Sequence, residues 1–220
     1  MQSIRLFVVE DQPKILKNQL KLLEAAPELE IVGTALSGEE ALEELSKMET
    51  KPDVILCDLG LPRMSGIEVT EKVRSMYPGV EILIFTVFDE EDKVIGAIKA
   101  GAAGYMLKGA EAHKIVEGIK DVHQGGSVIQ PSLARRLLQH FNAPTVQEGL
   151  KPEVVTPLTN REIECLQMIA KGLSNSEAAD VLGLSKATVR THLEHIYQKL
   201  EVSNRVEAVT EGIRQGIIDL

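Results

Sequence analysis

Five short apolar segments alternate with amphipathic segments over the first 124 residues, and this alternation restricts the fold more than any other feature. The apolar segments are residues 5–9, 30–34, 54–57, 82–85 and 104–107. Largely apolar runs of this length are typical of strands that are buried on both faces. The segments with helical spacing are residues 13–25, 38–46, 66–76, 90–100 and 110–124, and Ser37 with Glu40 predicts a capping box at the start of the second. This order predicts an α/β fold with a doubly wound, five-stranded parallel sheet between layers of helices.

Charged or hydroxyl side chains follow four of these predicted strands. Glu10 and Asp11 follow the first strand, Asp58 the third, Thr86 the fourth and Lys108 the fifth. Because open α/β sheets bind ligands at the carboxyl ends of their strands, we expect these side chains to meet in one crevice. Three carboxylates repel one another and require a cation, and their hard oxygen atoms suit Mg²⁺. A lysine and a hydroxyl beside that cluster suit a phosphoryl group.

Each of these residues has a plainer interpretation when it is considered alone. An acidic pair at the end of a strand can simply be favoured by the dipole of the next helix, and a single lysine in a loop is usually solvated. Five chemically compatible residues at four strand ends of one predicted sheet favour the functional interpretation.

Two segments of this first part are similar to the receiver domain of two-component response regulators. They are residues 53–66, which read DVILCDLGLPRMSG, and residues 101–108, which read GAAGYMLK. The resemblance covers residues 1–124 and implies a flavodoxin-like receiver that a histidine kinase phosphorylates on an aspartate. The roles that it implies are Asp58 as the phosphoacceptor, Glu10, Asp11, Asp58 and the carbonyl of Gly60 as Mg²⁺ ligands, Thr86 and Lys108 as phosphoryl contacts, and Tyr105 as an aromatic switch that turns inward.

Three further residues lie close to these positions in the sequence. Phe88 stands two residues beyond Thr86, and Gly60 stands two residues beyond Asp58, so both are expected to flank the phosphoryl group. We predict that they influence the rate of phosphate loss through the access of water. Cys57 precedes Asp58 on a buried strand, and we expect its side chain to pack in the core.

The second part of the chain differs from the first in charge and composition. Up to residue 130 the chain has 14 Lys and Arg against 22 Asp and Glu, and beyond it 10 against 11. The net charges of the two parts are therefore −8 and −1, as two separate domains would have. Glycines at 125 and 126 and several prolines separate them. We predict domains at residues 1–124 and 156–220, with a linker at 125–155 in which residues 132–141 have helical spacing.

The pattern of residues 156–220 predicts four short helices. Capping boxes at Thr159–Glu162 and Ser174–Glu177 mark the starts of the first two helices, and Gly183 marks a turn after the second. Ser185 then starts a longer helix with apolar residues at 189, 193, 196 and 200. A short helix, a turn with glycine and a longer helix are typical of a helix-turn-helix. A polar helix face is also what any solvated helix presents, so periodicity alone leaves DNA binding and plain surface open.

Three segments of this part are similar to the LuxR/NarL-type DNA-binding domain. They are residues 158–166, 172–179 and 184–202. The whole chain thus resembles a response regulator of the NarL/FixJ family, and the resemblance implies that Arg190, Thr191 and Glu194 face the major groove, with Lys186, Thr188 and Lys199 nearer the phosphates. The family often has a basic residue at the position of Glu194. This glutamate either accepts a hydrogen bond from cytosine or avoids the base edge.

The same resemblance implies a set of partners. They are promoter DNA with two half-sites, a cognate histidine kinase and a second copy of the chain when phosphorylated, with RNA polymerase as a further candidate.

The sequence also bears on the compartment and on the strength of DNA binding. Cys57 and Cys165 lie far apart, which favours a reducing cytoplasm. No apolar run approaches the length that a bilayer requires, so we expect no membrane partner. We expect weak, salt-sensitive DNA binding by one monomer, because it neutralises few phosphates.

Two other classes of protein compete with this interpretation. A flavodoxin-like sheet with three carboxylates and Mg²⁺ also suits a phosphatase or hydrolase. The sequence offers neither a second general acid nor a glycine-rich nucleotide loop, so we expect no enzyme, only self-phosphorylation and self-dephosphorylation. The third class is a receiver that acts through protein partners, with the helical domain as an adaptor.

Overall fold

The computed structural model describes residues 3–129, 157–202 and 204–218. These residues form two units, one with a parallel sheet and five helices and the other with four helices. The helix predicted at residues 132–141 lies outside the described residues. None of the helices described has the length and apolar character that a bilayer crossing demands.

The first unit alternates strands and helices in the predicted order. Its strands are β1 Ile4–Val9, β2 Leu29–Ala35, β3 Val54–Cys57, β4 Glu81–Thr86, β5 Gly104–Leu107 and β6 Val128–Ile129. Its helices are α1 Pro13–Leu23, α2 Gly38–Lys47, α3 Gly66–Met76, α4 Glu91–Lys99 and α5 Ala112–His123. All strand pairs are parallel, in the order β2-β1-β3-β4-β5-β6. The predicted doubly wound parallel sheet is confirmed, and its strand order reverses between β1 and β3, where such sheets bind ligands.

Among the residues that the structure describes the sheet has six strands, so the predicted number of five was wrong. Val128 and Ile129 of β6 pair with Gly104 and Tyr105 of β5. A strand of two residues is too short to give a hydrophobic pattern, and the glycines before it are typical of a loop. The prediction therefore assigned these residues to the linker, whereas they cover the edge of β5.

The central strands are buried because helices cover both faces of the sheet. Every residue of β3 is buried, and so are all residues of β1 except Arg5. One face of the sheet packs against α1 and α5 through a cluster that includes Leu6, Leu56 and Ile119. Cys57 is fully buried, as predicted. The rigid strand ends of this core set the positions of the polar residues that follow them.

Two helices of this unit begin with serine caps of different kinds. Ser37 accepts the backbone N–H of Glu40, but the Glu40 carboxylate accepts the N–H of Leu36, so the predicted reciprocal box is only half formed. Ser65 and Glu68 form a complete box at the start of α3. The second box closes the loop between β3 and α3.

The second unit contains the four predicted helices. They are α6 Asn160–Ala170, α7 Asn175–Leu182, α8 Lys186–Leu200 and α9 Arg205–Arg214. Reciprocal capping boxes form at both predicted positions, before α6 and before α7. Gly183 has a φ of 64°, a left-handed conformation that glycine adopts without strain, and it ends α7. The core of the unit includes Cys165, Leu166, Ile169, Ala178, Val189, Leu193, Ile196 and Leu200. The short helix, turn and longer helix are therefore present.

Candidate functional site

Three carboxylates come together at the carboxyl ends of β1 and β3. These strands are neighbours in register, with Val9 opposite Cys57, so the residues that follow them lie side by side. The backbone N–H of Asp58 donates to the carbonyl of Val9 at 3.0 Å. One carboxylate oxygen from each of Glu10, Asp11 and Asp58 lies within 4.8 Å of the others. The sequence predicted this cluster.

One oxygen of each of these carboxylates is buried and accepts no hydrogen bond within the described part of the chain. The atoms are Oε1 of Glu10, Oδ1 of Asp11 and Oδ1 of Asp58. Buried carboxylate oxygens without a partner are costly. Three carboxylates beside one lysine leave a local charge of about −2, which a divalent cation would balance. The donor set of hard oxygen atoms fits such a cation.

Lys108 bridges two of the three carboxylates. Its Nζ atom lies 2.6 Å from Oε2 of Glu10 and 2.8 Å from Oδ2 of Asp58. Burial lowers the pKa of Lys108, but hydrogen bonds and charge attraction from Asp58 and Glu10 outweigh it and hold the pKa above its ordinary value. The side chain therefore remains a fixed positive charge next to Asp58.

Gln19 also contacts the cluster, although it was not among the predicted site residues. Its Nε2 atom donates to Oε2 of Glu10 at 3.0 Å. Gln19 lies on α1 between Leu16 and Leu23, which are both buried, so a polar side chain takes a position of the apolar stripe. A polar residue in the apolar stripe of α1 was the sequence feature that could have indicated a role for Gln19 in the site.

Thr86 is the last residue of β4, and Tyr105 is the second residue of the neighbouring strand β5. Both side chains are completely buried. The Tyr105 hydroxyl donates to the backbone carbonyl of Phe88 at 2.8 Å, a contact that favours this buried position of the ring. Burial, with the negative charge of Glu90 and Asp58, raises the pKa of Tyr105, so the hydroxyl stays protonated and can donate.

Phe88 and Gly60 lie next to each other beside the Asp58 carboxylate. A Cβ atom at Gly60 would stand 3.0 Å from the Phe88 ring and 3.7 Å from Oδ2 of Asp58. The Lys93 ammonium lies 3.3 Å from the centroid of the same ring. Nothing in the sequence pattern of α4 indicates this contact of Lys93.

Cys57 precedes Asp58, and its thiol is unreactive. Burial, and then the negative charge of Asp58 and Glu10, raises the pKa of its thiol. The thiol is therefore neutral at physiological pH and is not a metal ligand or nucleophile there.

The residues predicted to meet DNA lie along α8. Lys186, Arg190, Thr191 and Glu194 are exposed, while Thr188 and Lys199 are partly buried. The opposite face of α8 is buried in the core of the second unit through Val189, Leu193, Ile196 and Leu200. The helix therefore presents four of the six predicted residues to solvent.

Several of these side chains have partners within the second unit. The Nε atom of Arg190 donates to Oε1 of Glu194 at 3.3 Å. The Thr191 hydroxyl donates to the carbonyl of Ala187 at 3.1 Å. The Thr188 hydroxyl lies 2.7 Å from that of Ser185, the capping residue of α8. These contacts orient the side chains along the helix axis and leave the face itself open.

Lys199 differs from the other predicted DNA contacts. Its Nζ atom donates to Oε2 of Glu162 at 2.8 Å, and the Glu162 side chain is almost completely buried. The pair joins the last turn of α8 to the first turn of α6. The structure therefore places Lys199 in an internal ion pair.

Both units match families of known sequences. Residues 6–120 match the response regulator receiver domain, and residues 156–211 match the luxR family of bacterial regulatory proteins. The chain belongs to the response regulators that combine a receiver with a LuxR-type DNA-binding domain, as the sequence predicted. It is a transcriptional regulator of a two-component system, and its family is not one of ordinary enzymes.

Curated relatives and a solved structure agree with this assignment. The transcriptional regulatory protein LnrK of Bacillus subtilis is 34% identical over 218 residues, covering 97% of this chain and 98% of LnrK. The transcriptional regulatory protein DegU of Brevibacillus brevis is also 34% identical, covering 97% of this chain and 94% of DegU. The crystal structure of the response regulator ChrA, from a heme-sensing two-component system, is 34% identical with a TM-score of 0.52, covering 99% of this chain and 100% of ChrA.

Proposed function

We propose that a histidine kinase phosphorylates this protein on Asp58 and that the phosphorylated form binds promoter DNA to regulate transcription. The observation that carries the proposal is the group of three buried carboxylate oxygens without hydrogen-bond partners, next to the Lys108 ammonium. Such a site suits a cation and a phosphoryl group, because its protein groups alone leave an excess of negative charge.

Glu10, Asp11, Asp58 and the carbonyl oxygen of Gly60 would hold Mg²⁺. When bound, Mg²⁺ neutralises the negative charge that the donor phosphate and the acceptor carboxylate share. Gln19 and Lys108 occupy the other oxygen of Glu10 and so leave its Oε1 atom for the metal. Gln19 is thus a positioning residue in this proposal.

Asp58 is the nucleophile of the phosphoryl transfer. One of its oxygens forms a bond to phosphorus, and the bond between phosphorus and the donor histidine nitrogen breaks, with the electron pair left on nitrogen. The Lys108 ammonium, already 2.8 Å from Oδ2, then contacts the phosphoryl oxygens. Its raised pKa keeps this charge through the reaction.

Thr86 and Tyr105 report the phosphorylated state in this proposal. The Thr86 hydroxyl donates a charge-assisted hydrogen bond to the new phosphoryl group. That movement favours the inward position of the Tyr105 ring, in which its hydroxyl bonds the Phe88 carbonyl. The equilibrium between the two positions of the ring changes the surface near α4 and β5.

Phe88 and Gly60 set the lifetime of the phosphoryl group. Their contact beside Asp58 supports the prediction that they limit the access of water. Exchanging either for a polar residue and timing the loss of phosphate tests this role, and an unchanged lifetime would count against it.

The DNA interface is the exposed face of α8. Arg190, Thr191 and Glu194 face the major groove, with Lys186 and Thr188 nearer the phosphates. We retain Lys199 as a sixth candidate, although its ion pair with Glu162 competes with a phosphate contact. A second copy of the chain provides a second reading helix, because a single one neutralises few phosphates.

The remaining predictions complete this proposal. The domains are those predicted at residues 1–124 and 156–220, except that the first also includes β6, Val128–Ile129, which the prediction had assigned to the linker. Phosphorylation favours a dimer on two promoter half-sites in the cytoplasm, where RNA polymerase is a further candidate partner. The net charge of −8 belongs to the first part, and the Mg²⁺ site accounts for about −2 of it, so the overall acidity of the chain does not argue against DNA binding by the second part.

Labelling with radioactive acetyl phosphate and MgCl₂ tests the site. We expect close to one phosphoryl group per chain in the native protein and none in Asp58→Asn, with Asp92→Asn, an exposed acid of α4, as the matched control. Rapid multiple turnover of acetyl phosphate would instead support an enzyme.

A second experiment tests whether phosphorylation controls DNA binding. The affinity of the protein for DNA recovered from genomic fragments is measured with and without phosphorylation. Equal affinities would contradict control of DNA binding by phosphorylation.

A further inference from the structure

Phe88 is held beside the phosphoacceptor by contacts to both its backbone and its side chain. Its carbonyl accepts the Tyr105 hydroxyl, its ring edge lies against Gly60, and its ring face lies 3.3 Å from the Lys93 ammonium. We propose that Lys93 is a positioning residue that acts through the Phe88 ring and slows the loss of phosphate from Asp58. This inference rests on the proposed phosphorylation of Asp58.

The ring stands where solvent reaches the phosphoacceptor. Asp58 is almost buried, whereas Gly60 is exposed and its missing side chain faces both the Phe88 ring and Oδ2 of Asp58. Glycine at this position leaves a gap that the aromatic ring fills. Water that approaches the carboxylate along this side has to pass the ring.

Loss of phosphate from Asp58 is a hydrolysis that consumes one water molecule. The oxygen of one water molecule forms a bond to phosphorus, and the bond between phosphorus and the Asp58 oxygen breaks, with the electron pair left on the carboxylate. Both protons of the water end on the released phosphate. Because water is the other reactant, keeping it from phosphorus directly lowers the rate.

Lys93 makes the contact that holds the ring face. The Tyr105 bond fixes only the backbone of Phe88, so the ring could still rotate about its side-chain bonds. A cation at 3.3 Å from the centroid is close enough for a favourable cation–π interaction. The ion pair of Lys93 with Glu90, at 3.4 Å, holds the ammonium at the first turn of α4. Lys93 therefore links α4 to the cover of the phosphoacceptor.

A double-mutant cycle on phosphate loss tests the inference. The native protein, Lys93→Met, Phe88→Ala and the double variant are labelled on Asp58 with acetyl phosphate, freed of it, and followed over time. We expect Lys93→Met to shorten the lifetime about two- to fivefold, the range that an exposed cation–π contact supports. In the Phe88→Ala background the same change should have no effect. Lys93→Arg, which keeps the contact, should retain the native lifetime.

The controls separate this inference from the proposed function. Lys99→Met removes an exposed cation from the end of the same helix and should leave the lifetime unchanged. An unchanged lifetime in Lys93→Met, or an effect that persists without the Phe88 ring, overturns the role of Lys93 but not the phosphorylation of Asp58. A native protein that takes no label overturns both.

A second measurement needs no phosphate. The chain has three Tyr and no Trp, so Phe88→Trp introduces a single tryptophan, whose emission is excited selectively at wavelengths that tyrosine does not absorb. We expect Lys93→Met to make its emission more accessible to the quencher acrylamide, whereas Lys99→Met leaves quenching unchanged. Equal quenching in all three proteins would contradict the contact.

Discussion

Lys199 at the end of α8 lies 2.8 Å from a buried carboxylate of Glu162 at the start of α6. The same oxygen of Glu162 accepts the backbone N–H and the hydroxyl of Thr159, at 2.7 Å and 2.8 Å. One carboxylate therefore caps α6 and anchors the helix that is expected to read DNA. This arrangement assigns Lys199 to the stability of the second unit.

Replacing Lys199 by Met should destabilise the second unit by about 2 kcal/mol, because it leaves a buried carboxylate without its charged partner. Urea unfolding followed by circular dichroism measures the change. Lys171→Met, which removes an exposed cation at the end of α6, should change stability by less than about 0.5 kcal/mol. Equal stabilities of the two variants would show that the ion pair does not hold Lys199 away from a DNA phosphate.

The same pair should make the stability of the second unit depend on acid pH. Burial raises the pKa of Glu162, but hydrogen bonds from Lys199 and Thr159 outweigh it and hold the pKa below the ordinary value of 4.5. A lowered pKa in the folded state stabilises the protein above pH 4.5, and this contribution disappears as the pH falls through the folded value. The Tm difference between native protein and Glu162→Gln should therefore be largest near neutral pH and vanish in acid. A constant difference would contradict the pairing.

Asp11→Asn should stabilise the receiver unit in EDTA and abolish its response to MgCl₂. Removing one of three crowded negative charges relieves repulsion, and we expect a gain of about 1 kcal/mol, or roughly 4 °C in Tm. MgCl₂ should raise the Tm of the native protein above that in NaCl of equal ionic strength, because the ion binds only the folded site. Glu71→Gln, an exposed acid on α3, is the control and should keep the response to MgCl₂.

Two glycines of the receiver unit should respond to alanine in opposite directions. A Cβ atom at Gly66 would stand 2.2 Å from the carbonyl oxygen of Asp58, a backbone atom that cannot yield. At Gly96 it would meet only the end of the Ile67 side chain, at 3.1 Å. We expect Gly66→Ala to lose about 1–3 kcal/mol and Gly96→Ala to be neutral or to gain up to about 1 kcal/mol, as measured by urea unfolding. A harmless Gly66→Ala would show that α3 can move away from the phosphoacceptor.

Arg190→Ala should weaken specific DNA binding by about 1–3 kcal/mol, the value of one good base contact. Fluorescence anisotropy with the recovered DNA measures this affinity, and the loss should be smaller on unrelated DNA. Lys171→Ala removes an exposed cation of the same unit at the end of α6 and should leave specific binding nearly unchanged. Equal losses for the two variants would indicate that Arg190 contributes only general charge.

The sequence predicted elements well where the pattern is long and regular. The strand at Val54–Cys57 and the helix at Gly66–Met76 have the predicted bounds, and both capping boxes of the second unit form. It failed at β6, whose two residues carry no periodic signal. It also failed for the Glu40 carboxylate, which has two nearby backbone N–H groups to choose from and bonds Leu36. The spacing of residues along the chain limits which backbone N–H groups a side chain can reach, but it does not decide which one it bonds.

The sequence by itself determined the order of elements, the class of fold and the meeting of Glu10, Asp11 and Asp58, since parallel strands bring their carboxyl ends to one edge. Only the tertiary structure decided that Lys199 pairs with Glu162, 37 residues away, and that Lys93 covers the Phe88 ring. The physical reason is that periodicity and capping arise from neighbours along the chain. Contacts of long polar side chains depend on how separate elements pack, and their chemistry allows several partners of similar energy.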